Sequence, residues 1–448
     1  MGQDGSLPAS SEMIGILRNR LLLTQEELAK EMCDVADPRT RKHLPSLVNM
    51  ARRIRAHEGG EPVGARYAEL YRRVWEKRRH ELTEPGPLEP AEAQLAVDPL
   101  ALAWTVGRLD QRVDRRTLLG LAAAAVTGIP ALDPAERLMR VLNGHNRPDE
   151  EMVRHLEART KGFHRLEEHM PAVQLYAALQ THLGEISALL EAIRSDTLRQ
   201  RLAVAAGESA VLDSWFAWEL GDARRAAESA RLVGYASRAG DDPATAACMT
   251  GYQTYMTGNN PIVGMTLAQN ALERLGESDL ATRAWLLARL GEESALAGDK
   301  KTALKAIREA EQVYEEADIR RRPWTCFLDP ARFASMTLSV YSRIREENRA
   351  VGASERVSAF LGPGTETKKL CVVQADMALA IFRLGDETEA VRFARQALDA
   401  TVAMAAPLGW DRLDQVVEEF ASSKSPATRG FSQEYTVTRP TTAPSSLL

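Results

Sequence analysis

The chain has 448 residues, of which 44% are hydrophobic and 27% charged, and its formal net charge is −5. That length provides for two to four domains with a sizeable core, and the composition is that of a globular chain rather than a disordered or fibrous one. The four cysteines (Cys33, Cys248, Cys326 and Cys371) stand too far apart in sequence for metal-ligand pairs, which argues against a disulfide framework and fits a reducing cytoplasm.

Aromatic residues are sparse at 6%, whereas Ala, Leu, Arg and Glu dominate. These side chains lose little freedom in a helical turn, and alternating β-branched runs are missing, so an all-α fold is expected. Charge is unevenly placed. Between Arg39 and Arg79 stand twelve Lys or Arg against four acids, a net of +8 that leaves −13 for the rest. A basic module on an acidic body implies a polyanion partner for the module.

Residues 1–11 read as a disordered leader. They lack the basic and apolar regions of a secretory signal, and MGQDGS matches a myristoylation pattern only loosely. Residues 12–83 read as short helices. In T24QEELAKEM32, Thr24 is a candidate N-cap and Glu27 completes a capping box, with Leu28 and Met32 on one face. After a polar loop, a helix is expected from Ser46 to about His57. Its apolar stripe is Leu47, Met50, Ala51 and Ile54, and its other side carries Asn49, Arg52, Arg53 and Arg55.

The stretch LRNRLLLTQEELAKEM resembles helices one and two of a lambda-repressor-like (XRE-type) helix-turn-helix domain. IRAHEGGE resembles the signature that ends the recognition helix, and ARYAELYRRVW (65–75) the helix that follows. The linker before the third helix is longer than usual, and His57 stands where a bulky apolar residue is typical. The resemblance implies double-stranded DNA as partner. Gln25 would meet a phosphate, and Asn49, Arg52, Arg53 and Arg55 would read base edges in the major groove.

Residues 84–112, with Pro85, Pro87, Pro90 and Pro99, read as a Pro-rich linker. The segment 113–148 opens with VDRRTLLGLAAAAVTGIPAL. Its paired arginines and apolar run imitate a twin-arginine export signal. The run from Thr117 to Leu132 is only 16 residues, is broken by Pro130, and follows a predicted domain. About 20 apolar residues are needed to cross a bilayer, so a short helix docked on the body or in a dimer contact is expected, and no membrane.

From 149 to 420 the pattern is near-continuous amphipathic helix broken by turns with glycine at 221, 258, 298 and 385. Small residues recur seven positions before these glycines (Ser214, Gly251, Gly291, Ala378). Others recur five after (Ala226, Ala303, Ala390), with Gly264 shifted by one. The segment 347–361 fills the wide last interval as a degenerate copy. This pattern resembles tetratricopeptide repeats, which implies a stacked α-solenoid. In the repeat register its concave groove would present Trp215, Trp218, Tyr252, Tyr255, Glu292 and Phe382, with Leu379 beside them, to a peptide, a small molecule or a protein. Residues 421–448, rich in Ser, Thr and Pro, read as a disordered tail.

No catalytic motif stands out. H164RLEEH169 places its imidazoles about 140° apart on a helix, and GPGTETKK (362–369) lacks phosphate-loop spacing. Neither an enzyme, a metal site nor a cofactor is expected. The combination resembles bacterial cytoplasmic transcription regulators, with PWTCFLDPARFASM similar to actinobacterial members. It implies sequence-specific DNA binding by a homodimer, controlled through the repeats. The competing readings are a protein-interaction scaffold with a degenerate helix-turn-helix, and a membrane-tethered regulator anchored by 117–132.

Overall fold

The computed structural model describes residues 25–58, 61, 63–82, 98–109, 149–258, 260–362 and 365–439. Thr24, the 1–11 leader and the stretch 113–132 lie outside them. Every described element is helical. The chain divides into two compact units, Met1–Leu95 with Gly362–Gly364, and the remainder.

In the first unit, α1 (Gln25–Val35) packs on α3 (Leu47–Glu58) and on α4 (Ala65–Leu82). Leu28, Met32, Met50, Ile54, Leu70 and Val74 form its core. The loop between α1 and α3 holds a one-turn helix, α2 (Pro38–Arg41). Asp37 caps it by accepting from the Thr40 amide at 2.9 Å. Arg41 closes the end of α1 by donating to the carbonyls of Cys33 and Asp34, each at 2.9 Å. His57 is buried, contacts the Tyr71 hydroxyl at 3.1 Å, and meets Tyr67 edge-on. The imidazole therefore fills the apolar residue's place and satisfies its polar atom. Leu47 was expected inside but is 45% exposed, because α3 begins there and its first turn overhangs the core.

The second unit begins with α5 (Pro99–Gly107), which corrects the reading of 84–112 as linker throughout. Asp98 caps it and Pro99 occupies the first turn, where the missing N–H costs nothing. α5 packs on α6 (Glu150–Glu167). The crossing is so close that a Cβ on Gly107 would lie 1.7 Å from the Ala158 carbonyl oxygen, and one on Gly162 1.7 Å from that of Ala103. α7 (Ala172–Ala192) follows.

Six helix pairs come next. They are α8 (Asp196–Glu219) with α9 (Ala223–Ala239), α10 (Pro243–Gln253) with α11 (Pro261–Leu275), and α12 (Leu280–Leu296) with α13 (Lys300–Glu316). Then come α14 (Pro330–Arg343) with α15 (Glu347–Phe360), α16 (Thr367–Arg383) with α17 (Glu387–Met404), and α18 (Pro407–Phe420) with α19 (Pro426–Thr438). The first helices of successive pairs also touch one another, from α8 through to α18. The small-residue register explains the pairing. Ser214 donates to the Ala226 carbonyl at 2.9 Å, and a Cβ on Gly291 would lie 3.6 Å from the Ala303 carbonyl oxygen.

The turn glycines Gly221, Gly258, Gly298 and Gly385 all have positive φ, and Asp222, Asn260, Asp299 and Asp386 cap the helices that follow. In the degenerate copy the left-handed residue is Arg345, at φ 61°. Its turn has the same closing bond as its neighbours: the Glu346 amide donates to the Tyr341 carbonyl at 3.0 Å, as Asp299 does to Ser294 at 2.9 Å.

α19 corrects the reading of 421–448 as a disordered tail. Ser425 caps it, Pro426 opens it, and Phe431 and Tyr435, one turn apart, enter the core. Residues 440–448 lie outside the described residues.

Candidate functional site

On the first unit, the buried stripe of α3 leaves Asn49, Arg52, Arg53 and Arg55 exposed. Gln25, half-buried at the start of α1, accepts from Arg55 Nη2 at 3.3 Å. The structure thus brings Gln25 and Arg55 together and ranges the other three on the same helix. Arg52 and Arg53 carry no ion pair among the described residues, so their donors face solvent. Sequence reasoning missed Val48, 64% exposed beside Asn49, which with Leu47 adds an apolar edge to this polar face.

On the second unit, the expected groove is largely filled. Trp215, Trp218, Tyr252 and Leu379 are buried, and Glu292 is 1% exposed. Trp215 stacks on Trp218 with centroids 4.8 Å apart, and Tyr252 meets Trp285 edge-on at 5.4 Å. Phe382 is half-buried and packs on Phe420. These side chains are interior because other segments occupy the inner face. Glu167 at the end of α6 accepts from Trp215 Nε1 at 3.0 Å, and Phe327 stands edge-on to Trp285 at 5.4 Å. Periodicity located the inward side of each helix but carried no sign of these distant segments.

What remains open is two cavities sharing Tyr255 and Leu408. The smaller, about 70 Å³, is lined by Trp215 and Tyr252 with Glu167, Glu168, Lys368 and Lys369. Lys368 bridges Glu167 at 2.5 Å and Glu219 at 2.8 Å. Lys369 bridges Asp329 at 3.0 Å and Glu366 at 2.8 Å. Burial and the neighbouring Glu167 push the Glu168 carboxyl well above the usual range.

The larger cavity, about 620 Å³, lies over the ends of α10, α12 and α14 and against α18. Its floor is ionic. Arg289 donates to Glu292 at 2.6 Å, to Thr254 Oγ1 at 3.0 Å and to Glu293, and its guanidinium lies 3.9 Å from the Tyr255 ring centroid. Arg412 donates to the other oxygen of Glu292 at 2.8 Å and stands 3.7 Å from Asp376. Burial alone would raise the Glu292 carboxyl. The Arg412 and Arg289 guanidiniums instead hold it at about 2.

Arg343 is different: its one hydrogen bond is to Gln415 Oε1, at 2.9 Å, and no carboxylate pairs with it among the described residues. Burial, then Arg383 and Arg412, lower its pKa to about 10. None of the lining arginines was singled out from sequence, although Arg345 stands in the register of the turn glycines.

No cluster of His, Cys, Asp and Glu that could hold a metal occurs among the described residues. His164 is buried and contacts the Glu208 carbonyl at 3.0 Å. No described helix is long and apolar enough to cross a membrane. Compared with known proteins, the chain matches no family model, no curated protein and no solved structure.

Proposed function

We propose that the chain is a DNA-binding transcription regulator. The helical unit at its N-terminal end contacts double-stranded DNA, and its paired-helix body, read as a tetratricopeptide-like solenoid, responds to an effector. The observation that carries this reading is α3, which buries one face in a small core and exposes Asn49, Arg52, Arg53 and Arg55 on the other. The guanidiniums of Arg52 and Arg53, without an ion pair among the described residues, keep their donors for phosphates and for the paired acceptors of guanine.

The basic balance between Arg39 and Arg79 adds a salt-dependent attraction to any duplex. As a homodimer, two such helices would meet half-sites about one helical turn apart. Chromatin immunoprecipitation of the tagged chain with sequencing tests the reading. A shared motif among enriched fragments is expected, lost in the Arg52→Ala/Arg53→Ala variant. Failure of the full chain to enrich any DNA overturns it.

A further inference from the structure

In the larger cavity of the body one guanidinium, that of Arg343, has no carboxylate bonded to it among the described residues. Arg289, Arg343, Arg345 and Arg412 line the cavity together with Glu293, Asp411, Glu418 and Glu419. Four arginines in or beside it are held by acids. Glu292 and Glu293 serve Arg289, Glu292 and Asp376 serve Arg412, and Asp376 also pairs with Arg332 at 3.5 Å. Glu419 holds Arg383 through bonds of 3.0 and 2.7 Å. Arg343 is left over: its hydrogen-bond partner is a neutral amide, Arg383 and Arg412 act on it, and the nearby Glu419 and Asp376 already bond to other arginines. A buried guanidinium without an anion is expensive to keep unless something else neutralises it.

A second, independent observation points to the same place. Left-handed backbone is supplied by glycine at the turns after α8, α12 and α16, and after α14 by Arg345. A side chain in that region strains the turn. The strained residue lines the mouth of the cavity that holds Arg343. Asp241 and Ala405 also have positive φ, but of these three non-glycine residues only Arg345 lines this cavity.

We infer that this cavity is a binding site for a small organic monocarboxylate. Arg343 pairs with the carboxylate, Arg345 guards the mouth, and Leu296, Leu408 and the Tyr255 ring cover the apolar part. The volume, about 620 Å³, suits a ligand of that size. Arg343 offers one guanidinium without a bonded acid, and Asp411, Glu418 and Glu419 share the walls, so polyphosphates and tricarboxylates are disfavoured. The inference deepens the effector-sensing role proposed for the body, yet its test does not require DNA.

Isothermal titration of the full chain with hexanoate and phenylacetate, beside hexanamide and phenylacetamide, tests it. The acids should bind roughly tenfold or more tightly than the amides, which keep the shape but lose the charge. Inorganic phosphate and citrate should bind more weakly than the acids. Arg343→Gln should abolish the preference for acids, and Arg343→Lys should restore part of it. Arg345→Gly should weaken acid binding by a smaller factor while raising the melting temperature, which separates a ligand-contacting role from a structural one.

Equal binding of acids and amides would overturn the assignment. So would no heat from either acid at millimolar concentration, tighter binding of phosphate, or wild-type titration by Arg343→Gln. Binding of acids through Arg343 in a chain that retains no DNA would leave the site standing and remove the regulator reading.

Discussion

The two units use arginine in opposite ways. On α3, Arg52, Arg53 and Arg55 stand in solvent, and the nearest polar partner is Gln25. In the body, Arg289, Arg332 and Arg412 are almost wholly buried and bonded to carboxylates, Arg289 within its own helix and Arg332 and Arg412 across to another. An exposed guanidinium contributes little to stability and remains available to a partner; a buried pair is consumed by the fold and is costly to break. The same residue type is therefore a contact in one unit and a tie in the other.

The sharpest way to break that contrast is Glu292→Ala. It leaves Arg289 and Arg412 without their shared acid, and chemical denaturation should show a loss of about 3–5 kcal/mol. A loss under 1 kcal/mol would mean that the buried network is not a tie.

Next is Glu208, largely buried near Arg322, whose guanidinium already pairs with Asp242 at 2.7 and 2.8 Å. Burial raises the Glu208 carboxyl to about 8. An acid raised on folding binds its proton more tightly in the native state, so its stabilisation is complete below its unfolded value near 4.5 and is lost as pH rises through about 8. Denaturation of Glu208→Gln and the parent should coincide near pH 4.5 and separate by roughly 3 kcal/mol at pH 8, the variant being the more stable. A gap that does not widen with pH would count against a protonated Glu208.

The N-terminal unit should behave inversely. Arg52→Ala and Arg53→Ala should each leave stability within about 0.5 kcal/mol and cost about 1–3 kcal/mol of specific DNA affinity. Gel-shift titration and thermal melts on the same preparations check both halves. A large fall in melting temperature would place these residues among the ties.

The smallest effect is expected at Arg345→Gly, which relieves the left-handed turn and should stabilise the body by about 1 kcal/mol in urea titration. A destabilised variant would show that the Arg345 side chain supports the fold.

Local features were legible in the sequence. The turn glycines, their capping Asp or Asn and the small residues at the pair interfaces each act within a few residues or one helix pair. α5 and α19 were misread because Pro99 and Pro426 look like linker residues when their caps, Asp98 and Ser425, are overlooked. The filled groove and the ionic floor were not legible. Arg412 and Glu292 are 120 residues apart, and Trp215 and Glu167 are 48 apart, so no periodic pattern announces either contact. Of the candidate cavity, only Tyr255 in the lining and Glu292 in the floor were anticipated; Arg343 becomes conspicuous only when its neighbours' partners are known.

Lys368, at the start of α16, holds Glu167 at the end of α6 and Glu219 at the end of α8. Arrays of helix pairs with neighbour contacts alone can melt from either end, one pair at a time. A clasp between segments 201 and 149 positions apart forbids that for everything it encloses: those pairs gain their last contacts together or not at all. The loop it closes is long, so the entropy of closure must be met before the bond forms, which slows folding. Once made, the clasp turns a row of modular units into one cooperative block, with a single unfolding transition where an unclasped row would fray.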